Sequence, residues 1–117
     1  MEIIVFQKNE NPEEALRNFQ DFFYSSQMKY LASDLLQEGF SATEIGQAVL
    51  KAMTTCQITD VEVRQHFIPI ITEINGTLVN DCKLSQLGYG LVLLNADGNI
   101  PMVAEWQLKV LSEFLKI

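Results

Sequence analysis

Residues Asp81–Gly98 read DCKLSQLGYGLVLLNADG, and the conformation of this stretch decides the fold. It opens with charged and polar residues, then runs from Leu87 to Leu94 without a charge, enclosing Gly88 and Gly90. A phosphate-cradling loop would need G-x-G-x-x-G, or a glycine loop ending in Lys-Ser/Thr, and neither is present. A short apolar run alone does not separate a strand from a buried helix. Length favours the helix. Between Leu84 and Ala96 only glycine interrupts good helix formers, and Leu84, Leu87, Leu91 and Leu94 recur at helical spacing. Asp81 is placed to cap such a helix, and Asn95 or Gly98 to stop it. Each glycine costs a helix about 1 kcal/mol, so both are expected where a neighbour approaches closely. The expectation is a central buried helix, with a buried strand as the other reading.

Upstream, IPIITEINGTLVND changes the period. β-Branched residues flank Asn75-Gly76, the preferred pair for a two-residue type I′ turn, which predicts a hairpin of Ile70–Ile74 and Thr77–Val79. In NPEE, Asn11 is an N-cap and Pro12 a first-turn proline, opening a helix that carries Leu16, Phe19, Phe22 and Phe23. A short helix through Tyr30, Leu31 and Leu35 should end at Gly39 in left-handed geometry. Ser41 and Glu44 form a capping box, with Phe40 and Ile45 as its hydrophobic staple, ahead of a helix that runs to Cys56. Thr59 and Glu62, flanked by Ile58 and Val63, repeat that device and predict a further helix over Asp60–Phe67, closed by Pro69. Pro101 starts a last helix with Val103, Trp106, Val110, Phe114 and Ile117 along one stripe. MEIIVFQ reads as a short N-terminal strand. The fold class is α+β, mostly helical, with about five helices and one hairpin in a single domain over residues 1–117. Two capped helices followed by a hairpin also suit a winged helix-turn-helix.

At 117 residues, with 48% hydrophobic and 20% charged residues, the chain can bury one core. No apolar stretch approaches the roughly 20 residues of a membrane span, and the first residues lack signal-peptide features. Cys56 and Cys82 form no disulfide framework, so a cytoplasmic setting is expected. Net charge is −7, and Lys8, Arg17, Lys29, Lys51, Arg64, Lys83, Lys109 and Lys116 are scattered singly. That balance disfavours DNA, whose phosphates require clustered cations, and suits a protein partner with a basic face or simply solubility, while the apolar stripe on the last helix admits a homodimer.

Reaction chemistry is weakly signalled. His66 is the sole histidine, and Cys56 precedes it by ten residues with no motif marking an orienting group or an oxyanion site. Carboxylate pairs such as Glu13-Glu14 are explained by a helix start, and NADGN is too short for a calcium loop. The expectation is no catalytic site, metal, cofactor or small-molecule substrate.

Three stretches together resemble phage antirepressors of the BRO N-terminal type and DNA-damage-inducible D-type proteins. MKYLASDLLQEGFSATEIGQAVLKAMTTC is similar to their segment that opens W-x-A-R-D-L. TDVEVRQHF resembles the next piece, placing His66 and Phe67 in register. DCKLSQLGYGLVLLNADG resembles D-Y-x-L-S-R-Y-A-C-Y-L-I-x-x-N-x-D-P at Asp81, Leu84, Ser85, Leu91, Asn95 and Asp97. The resemblance implies a non-catalytic regulatory domain of phage biology or the DNA damage response, acting on DNA or a DNA-handling protein. It also supports a helix for the apolar run. Ser33 stands where the pattern has arginine, Gln86 where it has another, and GNIP replaces the basic residues after N-x-D-P, which weakens phosphate contact. Candidate partner or DNA contacts are therefore Lys51, Arg64, His66, Asn75, Gly76, Asp81, Lys83, Ser85, Asn95 and Asp97. Two alternatives are a weak DNA-binding winged module and a small acidic immunity or inhibitor protein.

Overall fold

The computed structural model describes residues 11–117, and the strand expected in MEIIVFQ lies outside them. At the centre is the hairpin. Asn75 and Gly76 both take positive φ, 51° and 80°, the geometry of a type I′ turn that matches the twist of its strands. The strands, β2 (Phe67–Ile74) and β3 (Thr77–Leu84), pair in register from Ile74↔Thr77 to Phe67↔Leu84. The hairpin thus extends beyond the expected boundaries at its base, and Leu84 is a strand residue.

Helix α1 (Pro12–Ser26) starts where NPEE predicts, with the Glu14 N–H donating to Asn11 Oδ1 at 2.7 Å. The short helix expected next is instead a two-residue strand, β1 (Tyr30–Leu31), followed by a 3₁₀ segment, Ala32–Glu38. β1 pairs antiparallel with β3, giving the sheet order β1-β3-β2. Tyr30 also stacks on Tyr89 with ring centroids 4.4 Å apart. Gly39, at φ 101°, ends the 3₁₀ segment in left-handed geometry as expected.

α2 (Ala42–Ile58) has the full capping box: Ser41 N–H donates to Glu44 Oε1 at 2.9 Å and Glu44 N–H to Ser41 Oγ at 3.1 Å. Beyond it the expected helix over Asp60–Phe67 is absent. Only Val63–Gln65 forms a 3₁₀ turn. The reason lies in Asp60, which adopts φ 59°, while Val61 N–H reaches back to Cys56 O at 2.9 Å and Asp60 N–H to Gln57 O at 3.5 Å. That pair of bonds is the Schellman stop, so TDVEV closes α2 instead of opening another helix. Thr59 reinforces the stop, donating its hydroxyl to Thr55 O at 2.8 Å.

α3 (Gln86–Leu94) and α4 (Pro101–Leu115) complete the chain. The apolar run is therefore a helix, capped by Ser85 and not by Asp81. Its inward side is Gly88, Val92 and Leu93, packed with Leu35, Ala52, Cys56, Phe67, Leu84 and Val103 in one core. Leu87 and Leu94, read from their spacing as core, are 49% and 53% exposed. In a run apolar on every side, period alone cannot say which side faces inward.

Candidate functional site

The structure divides the candidate residues into latches and surface. Asp81 is the most engaged. Its carboxylate accepts from Ser33 N–H at 3.0 Å, from the Ser33 hydroxyl, from the Thr72 hydroxyl at 2.9 Å and from Cys82 N–H at 2.7 Å. Burial pushes this carboxyl up, but the bonds from Ser33, Cys82 and Thr72 outweigh it and hold the group below its usual range. Thr72 lies diagonally across the hairpin from Asp81, and Ser33 belongs to the 3₁₀ segment. One side chain thus ties the hairpin to the approach to α2.

Ser85 and His66 form the second latch, a pairing for which the sequence holds no spacing signal. Ser85 Oγ lies 2.7 Å from His66 Nδ1 and accepts the Gly88 N–H at 3.0 Å, while Ser85 N–H donates to His66 O at 3.0 Å. Burial lowers the His66 pKa, favouring the neutral imidazole. Among the described residues no carboxylate hydrogen-bonds this ring, and the serine oxygen is occupied as a helix cap. That geometry positions α3 and does not assemble a hydrolytic triad. The two cysteines point the same way. Burial raises the Cys56 thiol, and burial followed by the Asp81 charge pushes Cys82 up to about 11, the reverse of an activated nucleophile.

Asn95 and Asp97 sit at the far end of α3. Asn95 Nδ2 donates to Leu91 O at 2.8 Å and Asp97 Oδ1 accepts from Asn99 N–H at 2.9 Å, so both shape the turn into α4. Arg64 pairs with Asp21 at 3.2 Å and donates to Gln20 at 3.0 Å, fastening α1 to the second 3₁₀ turn. Lys83 Nζ donates to Ser25 O at 3.3 Å at the end of α1. Lys51 is exposed on α2, and Asn75 and Gly76 stand alone at the hairpin tip, roughly 20–25 Å from its base by strand rise. The candidates do not converge on one site.

What converges is apolar surface. α1 buries only Ala15 and turns Leu16, Phe19, Phe22 and Phe23 to solvent, all within one face by helical spacing. α3 and α4 together line a groove of about 420 Å³ with Leu87, Gly90, Leu91, Leu94 and Trp106. Beyond it Leu108, Leu111, Phe114, Leu115 and Ile117 are exposed on the last turns of the chain. A second groove, about 450 Å³, runs between α2, the first 3₁₀ segment and the hairpin, with Leu36, Val49, Leu50 and Val79 on its walls. Of the stripe read along the last helix, Val103 is buried while Phe114 and Ile117 are exposed. No group of three or more metal-ligating side chains occurs among the described residues, and no helix there is long and apolar enough to cross a membrane. Comparison of the chain with family models, curated proteins and solved structures finds no match.

Proposed function

We propose that this chain is a non-catalytic regulatory domain that works by contact with a protein partner. The observation that carries the reading is the outward aromatic face of α1, where Phe22 alone is 73% exposed. Isolated surface leucines are ordinary, but a contiguous face of this kind marks an interaction site. Glu13 and Glu14 lie in the first turn of the same helix, Asp21 being paired with Arg64, and the whole chain carries −7, so the fitting partner has an apolar groove with a basic rim. The resemblance to phage antirepressors and DNA-damage-inducible proteins supplies the setting, phage regulation or the damage response in the cytoplasm. Replacing Phe19, Phe22 and Phe23 together by serine removes three mostly exposed rings, of which Phe23 meets Tyr24 edge-on, so stability is expected to fall by about 1–3 kcal/mol, with unchanged circular dichroism as the check on folding. Immobilised wild-type chain is expected to retain a basic protein from its native cytosol that the triple variant does not. Equal retention by both would reject α1 as the contact face.

A second reading rests on element order. Helix α1, strand β1, the 3₁₀ segment, α2 and the β2–β3 hairpin, with β1 paired to β3, follow the succession of a winged helix-turn-helix, with α2 as the reading helix. Its chemistry is poor for phosphate. Exposed α2 offers Lys51 alone, while Arg64 and Lys83 are engaged internally. The expected result is no retardation of random duplex at about 50 mM salt, where counterion release favours binding most. A band retarded there, lost at about 200 mM and lost in Lys51→Glu, would move the assignment to the winged reading.

A further inference from the structure

We infer that His66 and Ser85 form an acid-sensitive catch on the start of α3, closed while the imidazole is neutral and released when it takes up a proton. Three contacts meet there. Ser85 Oγ lies 2.7 Å from His66 Nδ1 and accepts the Gly88 N–H at 3.0 Å, while Ser85 N–H donates to His66 O at 3.0 Å. Gly88 packs so closely on that carbonyl that a Cβ would stand 2.5 Å from its oxygen. The first turn of α3 is thus seated on one residue, through its ring and its backbone together.

Proton counting gives the catch its direction. Ser85 Oγ carries one hydrogen and already accepts from Gly88, so a neutral ring with its proton on Nε2 receives that hydrogen at a bare Nδ1. An imidazolium carries a hydrogen on both nitrogens. The Ser85 oxygen must then accept from Nδ1 as well as from Gly88, and its own hydrogen must turn elsewhere. The new positive charge also stands at the N-terminal end of α3, where the helix's free N–H groups are themselves partly positive. Protonation works against the cap through geometry and charge alike, and burial of the ring opposes it further.

The surrounding charges are committed elsewhere. α3 carries none, and β2 has only Glu73, near the hairpin tip. Arg64, two residues before the ring, is paired with Asp21 of α1, and Lys83 of β3 donates to Ser25 O. The Asp81 carboxylate is taken up by Ser33, Thr72 and Cys82, and Glu44 by the capping box of α2. Asp60 and Glu62 ahead of the 3₁₀ turn, Lys51 of α2, and Glu105, Lys109 and Glu113 of α4 are exposed to water. Burial is the one cause lowering the His66 pKa, and no side-chain charge offsets it. His66 is also the sole histidine, so among the side chains it alone has an ordinary pKa between about 5 and 8. Leu87 and Gly90 of α3 share a groove with Trp106, so release of the first turn is carried to α4.

Nuclear magnetic resonance of the full chain labelled with ¹⁵N decides it. At about pH 7.5 the ring is expected to carry its proton on Nε2 and to leave Nδ1 bare. The closed state binds that second proton more weakly than the open one, so acid favours opening. Corrected for the intrinsic rate, exchange protection of the Gly88 amide should fall as pH drops below the ordinary histidine value of 6.5, by at most about tenfold per pH unit. Emission of Trp106, the only tryptophan, should shift over the same range. In Ser85→Ala the imidazole loses the bond that favours its neutral form, so its pKa should rise above the wild-type value, whereas burial alone would leave it unmoved. The wild-type measurements stand should that variant unfold. A proton on Nδ1 at neutral pH, Gly88 protection unchanged between about pH 7.5 and 5, or a His66 pKa unmoved in Ser85→Ala overturns the inference. None of these results touches the α1 reading, which is judged by capture of a different protein.

Discussion

Gly88→Ala is expected to lower stability by about 2–4 kcal/mol, while Gly90→Ala, two residues on, should raise it by up to about 1 kcal/mol. The two glycines look alike in the sequence and differ entirely in surroundings. A Cβ on Gly88 would stand 2.5 Å from the His66 carbonyl oxygen, a backbone atom that also accepts the Ser85 N–H. Relief requires moving the hairpin base away from α3, which breaks that bond and strains the contact between Ser85 Oγ and His66 Nδ1. At Gly90 the nearest atoms are on the Trp106 ring, 3.6 and 3.7 Å away, an ordinary packing distance. Alanine there fills space and removes the backbone entropy that glycine costs a helix. Urea unfolding midpoints of the two variants should move in opposite directions. A Gly88→Ala protein as stable as wild type would show that α3 is not held against His66.

The glycine pair also shows what the sequence can and cannot say. Close packing was legible as an expectation for both, because a helical glycine needs a reason; only tertiary contact separates the tight position from the loose one. Local devices read correctly where their partners are near in sequence: Asn11 with Glu14, Ser41 with Glu44, Asn75 with Gly76. The Thr59–Glu62 motif misled because Asp60 in left-handed geometry satisfies the end of α2, and a helix stop competes with a helix start over the same residues. The Leu84–Leu94 stripe misled differently. Its spacing is real, but Val92 and Leu93 satisfy the core, which leaves Leu87 and Leu94 outside. For the candidate contacts, residue type was a poor guide. Asp81 and Ser85, singled out as polar ends of the apolar run, are internal ties whose partners lie 48 and 19 residues away in sequence.

Asp81→Ala is expected to cost about 2–4 kcal/mol, since it strands donors from Ser33 and Thr72 that now point at a carboxylate. Asparagine keeps the oxygen that accepts from Ser33 N–H and Cys82 N–H and turns an amide N–H toward the Ser33 and Thr72 hydroxyls, which can rotate to accept it, so it should cost less than alanine while losing the charge-assisted bonds. The pH dependence identifies the cause. The folded carboxyl titrates below its ordinary value of 3.8, so its contribution is complete above that pH and is lost as pH falls through the lower, folded value. The stability gap between wild type and Asp81→Asn should therefore be constant from neutral pH to about pH 5 and close in stronger acid. His66 adds a separate slope. Its pKa is lowered from 6.5 by burial, so the folded state binds fewer protons and stability declines as pH drops below that value, equally in both proteins. Because the His66 slope cancels between the two proteins, a gap that closes near about pH 6 would reject the Asp81 carboxylate as its source. The functional consequence runs through Ser33, which stands where the resembled pattern carries arginine. Here that position spends its hydroxyl and its N–H on Asp81, inside the fold, and offers no cation to a phosphate. The tie that stabilises the hairpin against the 3₁₀ segment thus leaves this position with neither a cation nor a free hydroxyl to offer a phosphate.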